Sequence, residues 1–326
     1  MSGEAWQLGP LHVEPEATVC DIAQVDLGVA QIDFPITLIN GRVPDPVVLV
    51  TAGMDGDEYA AIEAAQQLAE AIDPAQLDGR VMICPVLDPI SFEAGSGQNP
   101  LDGLFLKHVF PGDLEGKPTQ RLAYFIFENF VRQADAWIDL HVCETSEDAL
   151  ALVWAAQGDD AEINSQNRIL LEYAGAPIGL LNPMEQVWGP GEVAALAGKP
   201  LLIAQAGRRA VADPEAVQFH VSVVERVLTG MDMLADSTST LRPTLYGTCV
   251  PVVATHTGLW YPAIRPGATV QAGQTLGVVR RLDGSAVLQE VTSPADGVAV
   301  IVRDGLAARP RLRLVLIACE PDEKEA

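Results

Sequence analysis

Three short stretches of this chain hold residues whose types and spacing can do chemistry. The first is Ala52-Gly53-Met54-Asp55-Gly56-Asp57-Glu58-Tyr59. An apolar run ends there, glycines turn the chain and a helical pattern begins, with Asp55 and Glu58 three residues apart across the turn. Both carboxylates can point into a crevice above a sheet. They can also serve the helix alone, Asp55 or Asp57 as its cap and Glu58 at its positive end. The second stretch is Ile138-Asp139-Leu140-His141, where an acid and a histidine two residues apart share one face of a strand. A strand-end histidine suits metal ligation with the acid orienting its ring; a hydrogen-bonded core histidine is the alternative. The third is Gln205-Ala206-Gly207-Arg208-Arg209, a polar residue leaving a strand and two adjacent arginines in acidic surroundings. Solvated surface charge is the plain reading of that pair.

These stretches need elements to position them. Pro46–Ala52 is a short, continuously apolar run, the pattern of a strand buried on both faces. Arg80–Leu87, Ala136–Val142, Ala149–Ala156, Ile178–Leu181 and Leu201–Ala206 read as further strands. Asp57–Ile72, Thr119–Ala134 and Val217–Met231 carry apolar residues at helical spacing. Strands alternating with helices predict an open, mostly parallel α/β sheet, and ligands bind such sheets beyond the carboxyl ends of the strands. From Gly247 onward the pattern changes to short β-rich runs (Val250–Thr255, Thr275–Val279, Ala286–Val291, Gly297–Val302, Leu312–Ile317), an all-β barrel or sandwich.

Composition sets outer bounds. The chain has 326 residues, 20 Lys+Arg and 44 Asp+Glu, a formal charge of −24, with 48% hydrophobic residues. A chain so acidic, with no basic run, excludes nucleic-acid binding, while its apolar content suffices for a core. No apolar stretch is long enough for a membrane span, and the first residues lack the order of a signal peptide, so a cytoplasmic protein is expected. The five cysteines form no CxxC pair and read as scattered thiols. Residues 1–245 carry the whole acidic excess, whereas residues 246–320 hold seven arginines against five acids. With a linker-like Asp236–Pro243 just before the change, the expected division is an α/β domain over 1–245 and a β-rich module over 246–326.

Taken together the stretches resemble the succinylglutamate desuccinylase/aspartoacylase family, within the zinc-carboxypeptidase-like fold. The family's Gly-x-His-Gly-x-Glu stands here as Gly53-Met54-Asp55-Gly56-Asp57-Glu58. Its Val-Pro-x-x-Asn-Pro-x-x-Phe stands as Cys84-Pro85-Val86-Leu87-Asp88-Pro89-Ile90-Ser91-Phe92. A segment opening on Arg and running to Asp-Gly-x-Asn-Leu-Asn-Arg-x-Phe-Pro-Gly stands as Gly97 to Gly112, with Phe105-Leu106-Lys107-His108 at its Asn-Leu-Asn-Arg. Its Asp-Leu-His and late Glu-x-Gly stand as Asp139-Leu140-His141 and Gln205-Ala206-Gly207. The C-terminal part is similar to the β-rich domain of many members. Within it, Pro266–Gly277 and Thr292–Gly297 resemble halves of a biotinyl/lipoyl-type barrel, but no lysine lies between Lys199 and Lys324, so a swinging-arm carrier is excluded.

The resemblance implies a metal-dependent hydrolase that deacylates N-acyl amino acids or similar small amides. It places a zinc ion on Asp55, Glu58 and His141, acidifying a bound water, with the general base at position 205 and substrate carboxylate held by basic residues. Several of those positions hold other residue types. Asp55 replaces a histidine, and the harder ligand set favours Mn or Mg more than usual. Gln205 replaces the base, and an amide takes no proton at neutral pH. Glu144, and Asp57 behind it, are the alternative acids. Gly97 and His108 replace arginines, leaving Lys107, His108, Arg208 and Arg209 to bind substrate. Three readings stay open: a hydrolase of altered metal site, a catalytically inactive member that binds a small molecule or a protein, or a scaffold or assembly protein that makes its contacts through the β-module. The expected partner is a small amide or amino-acid-like ligand, with no nucleic acid and no membrane; a homo-oligomer is left open.

Overall fold

The computed structural model describes residues 3–143, 146–183, 197–235 and 244–321. Four strands form the parallel heart of the fold: Leu201–Arg208, Ala136–Cys143, Val47–Ala52 and Arg80–Cys84, in that spatial order. All six residues of Val47–Ala52 are buried, as a strand covered on both faces requires. One face carries the helices Tyr59–Ala71, Ala161–Ala174 and Pro214–Gly230, whose Ala64, Leu68, Leu171, Val224 and Leu228 share one core with Val50, Ile138 and Leu202. The other face carries the helix Pro118–Asn129, packed through Leu122, Ile126 and Phe127 with Leu49, Trp137 and Ile203.

The sheet extends beyond this heart in both directions, to thirteen strands among the described residues. On one side the long antiparallel strands Gln31–Asn40 and Ala17–Asp26 follow Arg80–Cys84. On the other, Leu152–Gln157 runs antiparallel to Leu201–Arg208, and Ile178–Pro183 lies beside it. Thr244–Val253 is parallel to Ile178–Pro183 at one end and antiparallel to Arg313–Pro321. It therefore carries the sheet directly into the C-terminal strands. There Gly258–Pro262, Thr275–Arg280, Val287–Thr292 and Ala307–Ala308 form a four-stranded antiparallel sheet, which packs through Trp260, Leu276, Val279 and Val291 on Val315 and Ile317. The fold is thus a mixed α/β sheet with a parallel centre, followed by antiparallel β-structure.

Some elements differ from their sequence patterns. The helix expected to run to Ala134 stops at Asn129, and a short 3-10 turn, Val131–Gln133, replaces its last turn. The strand expected over Ala149–Ala156 is two pieces, Glu147–Ala149 and Leu152–Gln157, of which the first pairs with the C-terminal strand Gly297–Arg303. The segment read as a linker, 236–243, lies outside the described residues. No helix among the described residues is long and apolar enough to cross a membrane.

Candidate functional site

Strand register brings the three chemical stretches together. Thr51 pairs with Asp139 and Ala52 with Leu140 on one side, and Gln205 pairs with His141 on the other. All three stretches therefore leave the carboxyl ends of adjacent parallel strands, where α/β sheets bind ligands. The turn after Ala52 is held down by close approach. A Cβ built on Gly56 would overlap the backbone of Ser91, and the Gly56 N–H donates to the Ser96 carbonyl at 3.0 Å. Buried Asp88 shapes that facing loop. It accepts from the Ser91 N–H at 3.0 Å, the Ser91 hydroxyl at 2.6 Å and the Asn99 amide at 3.0 Å.

Glu58 sits at the N-cap of helix Tyr59–Ala71, yet its side chain makes no capping bond. It turns inward: Oε2 accepts from the Asp55 N–H at 3.0 Å, and Oε1 accepts from His141 Nδ1 at 3.0 Å and the Val142 N–H at 3.2 Å. The opposite ring nitrogen, His141 Nε2, donates to Asp139 Oδ2 at 2.7 Å. Two carboxylates flanking one imidazole favour its protonated form. Burial opposes that charge, but Asp139 and Glu58 together raise the His141 pKa well above its usual value. Burial likewise acts to raise Glu58, and His141, aided by Lys107, overrides it and brings the carboxyl down to about 2. Asp139 is fixed in turn. It accepts from the Thr51 hydroxyl at 2.5 Å, and that hydroxyl accepts from Trp137 Nε1 at 2.7 Å.

Asp55 lies in a second, adjoining ion cluster. Lys107, on the turn Leu106–His108, donates to Asp55 Oδ2 from Nζ at 2.7 Å. Arg209, arriving from beyond strand Leu201–Arg208, donates from Nη2 to the same oxygen and from Nη1 to Asp57 Oδ1 at 3.0 Å. Asp55 and Arg209 are almost wholly buried. Burial first, then the Glu58 charge, push the Asp55 carboxyl upward, against the pull of Lys107 and Arg209. Asp55 Oδ1 is buried with no hydrogen-bond partner.

The remaining predicted residues are dispersed. Gln205 stands beside His141, and its amide reaches Cys143 Sγ at 3.5 Å. Arg208 points to the C-terminal side, pairing with Asp148 at 3.1 Å and Asp304 at 3.0 Å, and is half exposed. The ring of His108 packs against Phe105. Gly97 faces Arg209, whose guanidinium fills the volume a side chain there would need. Glu144 lies outside the described residues. The sequence alone singled out neither Thr51 nor Trp137 as part of the site. The available signal was the period of two that puts Trp137, Asp139 and His141 on one face of one strand.

Residues 44–228 match the family model described as the succinylglutamate desuccinylase/aspartoacylase catalytic domain, more than half of the chain. The chain belongs to the succinylglutamate desuccinylase/aspartoacylase family. Among curated relatives, it is 28% identical over 276 residues to the N-alpha-acetyl-L-2,4-diaminobutyric acid deacetylase of Halomonas elongata, covering 81% of this chain and 79% of that protein. Among solved structures, a succinylglutamate desuccinylase/aspartoacylase from Rhodobacter sphaeroides superposes with a TM-score of 0.83 at 22% identity, over 92% of this chain and 95% of that one. The product-bound ectoine utilization protein EutE (DoeB) of Ruegeria pomeroyi gives 0.86 at 18% identity, over 95% and 98%. At these identities the two structures establish a shared fold.

The zinc that this family resemblance implies would fall to Asp55, Glu58 and His141. Their arrangement does not fit that ion. A metal ligand must offer a free lone pair. Asp55 Oδ2 is already taken by an ammonium and a guanidinium. Among the described residues, four carboxylates (Asp55, Asp57, Glu58, Asp139) contact Lys107, Arg209 and the His141 ring. Side chains of the chain itself thus meet negative charge that a metal would otherwise balance.

Proposed function

We propose that this family member binds a small N-acyl amino acid or similar amide in the crevice at the strand ends and does not cleave it. The observation that carries the reading is Asp55, the first ligand position, whose Oδ2 is already held by Lys107 and Arg209. Metal-assisted hydrolysis needs free ligands for the ion and a base for the water. Beside His141 stands Gln205, whose amide has no basic lone pair to take that proton. Losing a general base alone costs about 10²–10⁴ in rate.

The ligand class follows from the relatives. The Halomonas elongata enzyme is named for N-alpha-acetyl-L-2,4-diaminobutyrate, and that compound is the first to test. Titration calorimetry of the purified protein with it is expected to show saturable binding. Incubation of the same mixture with zinc, manganese or magnesium is expected to release no amine above the buffer rate. Metal-stimulated amine release that disappears in Glu58→Ala would overturn the reading and identify a working hydrolase.

A further inference from the structure

We propose that the Lys107 ammonium is a built-in substitute for the family's metal ion, and that removing its charge uncovers a divalent-cation site at Asp55 and Glu58. The inference rests on the metal-free reading above and goes beyond it, because it assigns the ion's electrostatic role to one side chain.

Position and chemistry both support it. Lys107 Nζ is 2.7 Å from Asp55 Oδ2, a carboxylate that is 1% exposed. It therefore stands, as a bound cation would, against the Asp55 end of the Asp55-Gly56-Asp57-Glu58 turn, where Glu58 Oε2 accepts from the Asp55 N–H at 3.0 Å. The lysine is only 18% exposed, and its Nζ lies over the Phe105 ring, 5.3 Å from the centroid. The ammonium is thus delivered by a packed turn rather than by a mobile surface chain. An ammonium is a compact point charge without ligand geometry, so it can neutralise carboxylate charge while leaving no position for an activated water.

The neighbouring changes fit the same exchange. Arg209 shares Asp55 Oδ2 with Lys107, and its guanidinium occupies space that exists only because residue 97 is glycine. Without Lys107, the described cluster would set Asp55, Asp57, Glu58 and Asp139 against Arg209 and the His141 ring. Asp55 Oδ1, buried and without a partner already, would then have a cation-shaped need beside it. Burying unpaired carboxylates is expensive, and a divalent ion would relieve that cost.

The test measures zinc and manganese affinity by calorimetry, with thermal midpoints as a second readout, on wild type, Lys107→Met and Lys107→Arg. Methionine keeps an apolar stem and removes the charge; arginine keeps the charge. Lys107→Met is expected to bind at least one of the two ions at least about tenfold more tightly than wild type and to gain thermal stability from it. Lys107→Arg is expected to behave as wild type, and adding Asp55→Ala to Lys107→Met is expected to abolish the gain. If Lys107→Met does not fold alone, the milder Lys107→Asn is refolded with and without metal, and metal-dependent recovery is the expected result. No gain in the uncharged variants, with wild type also metal-free, overturns the substitution and leaves the metal-free reading standing. Stoichiometric tight binding by wild type itself overturns both.

Discussion

Arg209→Met is expected to destabilise the protein by about 3–5 kcal/mol, the usual cost of removing one partner from a buried ion pair. Arg209 is 7% exposed, and its two partners, Asp55 and Asp57, are 1% and 10% exposed. The variant therefore removes a cation shared by two buried carboxylates, although Lys107 still holds Asp55. Part of the loss has an escape route. The Asp55 carboxyl is already pushed upward by burial and by Glu58, so without the guanidinium it can take a proton and shed its charge. The deficit should accordingly shrink as the pH is lowered. Arg209→Lys should recover only part of the loss, because one ammonium cannot span both carboxylates as the guanidinium fork does. Urea unfolding at several pH values reads all three effects. A loss below about 1 kcal/mol, the range of exposed ion pairs, would mean that the cluster is solvated surface charge after all.

His220 should make folding sensitive to mild acid. It lies on helix Pro214–Gly230, buried against the back of the site, with Nε2 at 3.4 Å from the Ala206 carbonyl and Nδ1 without a partner. Burial, which opposes the imidazolium, brings its pKa down to about 4 from the usual 6.5, although the Ala206 carbonyl and the Glu58 charge act the other way. The unfolded chain therefore takes up a proton at His220 before the folded chain does. The resulting stability is complete above about pH 6.5 and drains away as the pH falls toward 4. A shift of this size corresponds to about 3 kcal/mol across that window. His220→Gln removes the titration, so the stability difference between wild type and variant should narrow or reverse by about that amount between pH 6.5 and 4. Parallel stability curves over the whole window would show that His220 is charged or solvated in the native state.

Much of the architecture is written in local pattern. Val47–Ala52, Ala136–Cys143 and Leu201–Arg208 are buried over most of their length, with polar residues or a glycine only toward their carboxyl ends at the crevice, so the strands and the place of the site were legible together. The hairpin over 17–40 was not. Strand Ala17–Asp26 lies at the sheet edge and is largely exposed, so burial does not impose a clean alternation on its sequence. The helix Ala161–Ala174 escaped for a different reason. Its buried residues include Asn167, which donates to the Ala156 carbonyl and accepts from the Leu201 N–H, a polar break in the apolar stripe that a helix pattern relies on.

At the site, residue types were legible and pairings were not. Asp55, Glu58 and His141 could be picked from spacing and resemblance because strand register fixes where their backbones lie. That Lys107 and Arg209 converge on Asp55 depends on a loop 52 residues downstream and a strand end 154 residues downstream. Nothing local announces that meeting. The nearest hint is the glycine at position 97, which reads as a missing arginine in sequence and as room for Arg209 in space.

A crystal structure of the wild-type protein grown in millimolar zinc, with anomalous data collected at the zinc edge, bears on the site more directly than any rate assay. The charge-compensated arrangement predicts no anomalous peak among Asp55, Glu58 and His141, with Lys107 Nζ in hydrogen-bonding contact with Asp55 and His141 bridging Glu58 and Asp139. A strong peak ligated by those three residues, with Lys107 swung away from Asp55, would contradict it.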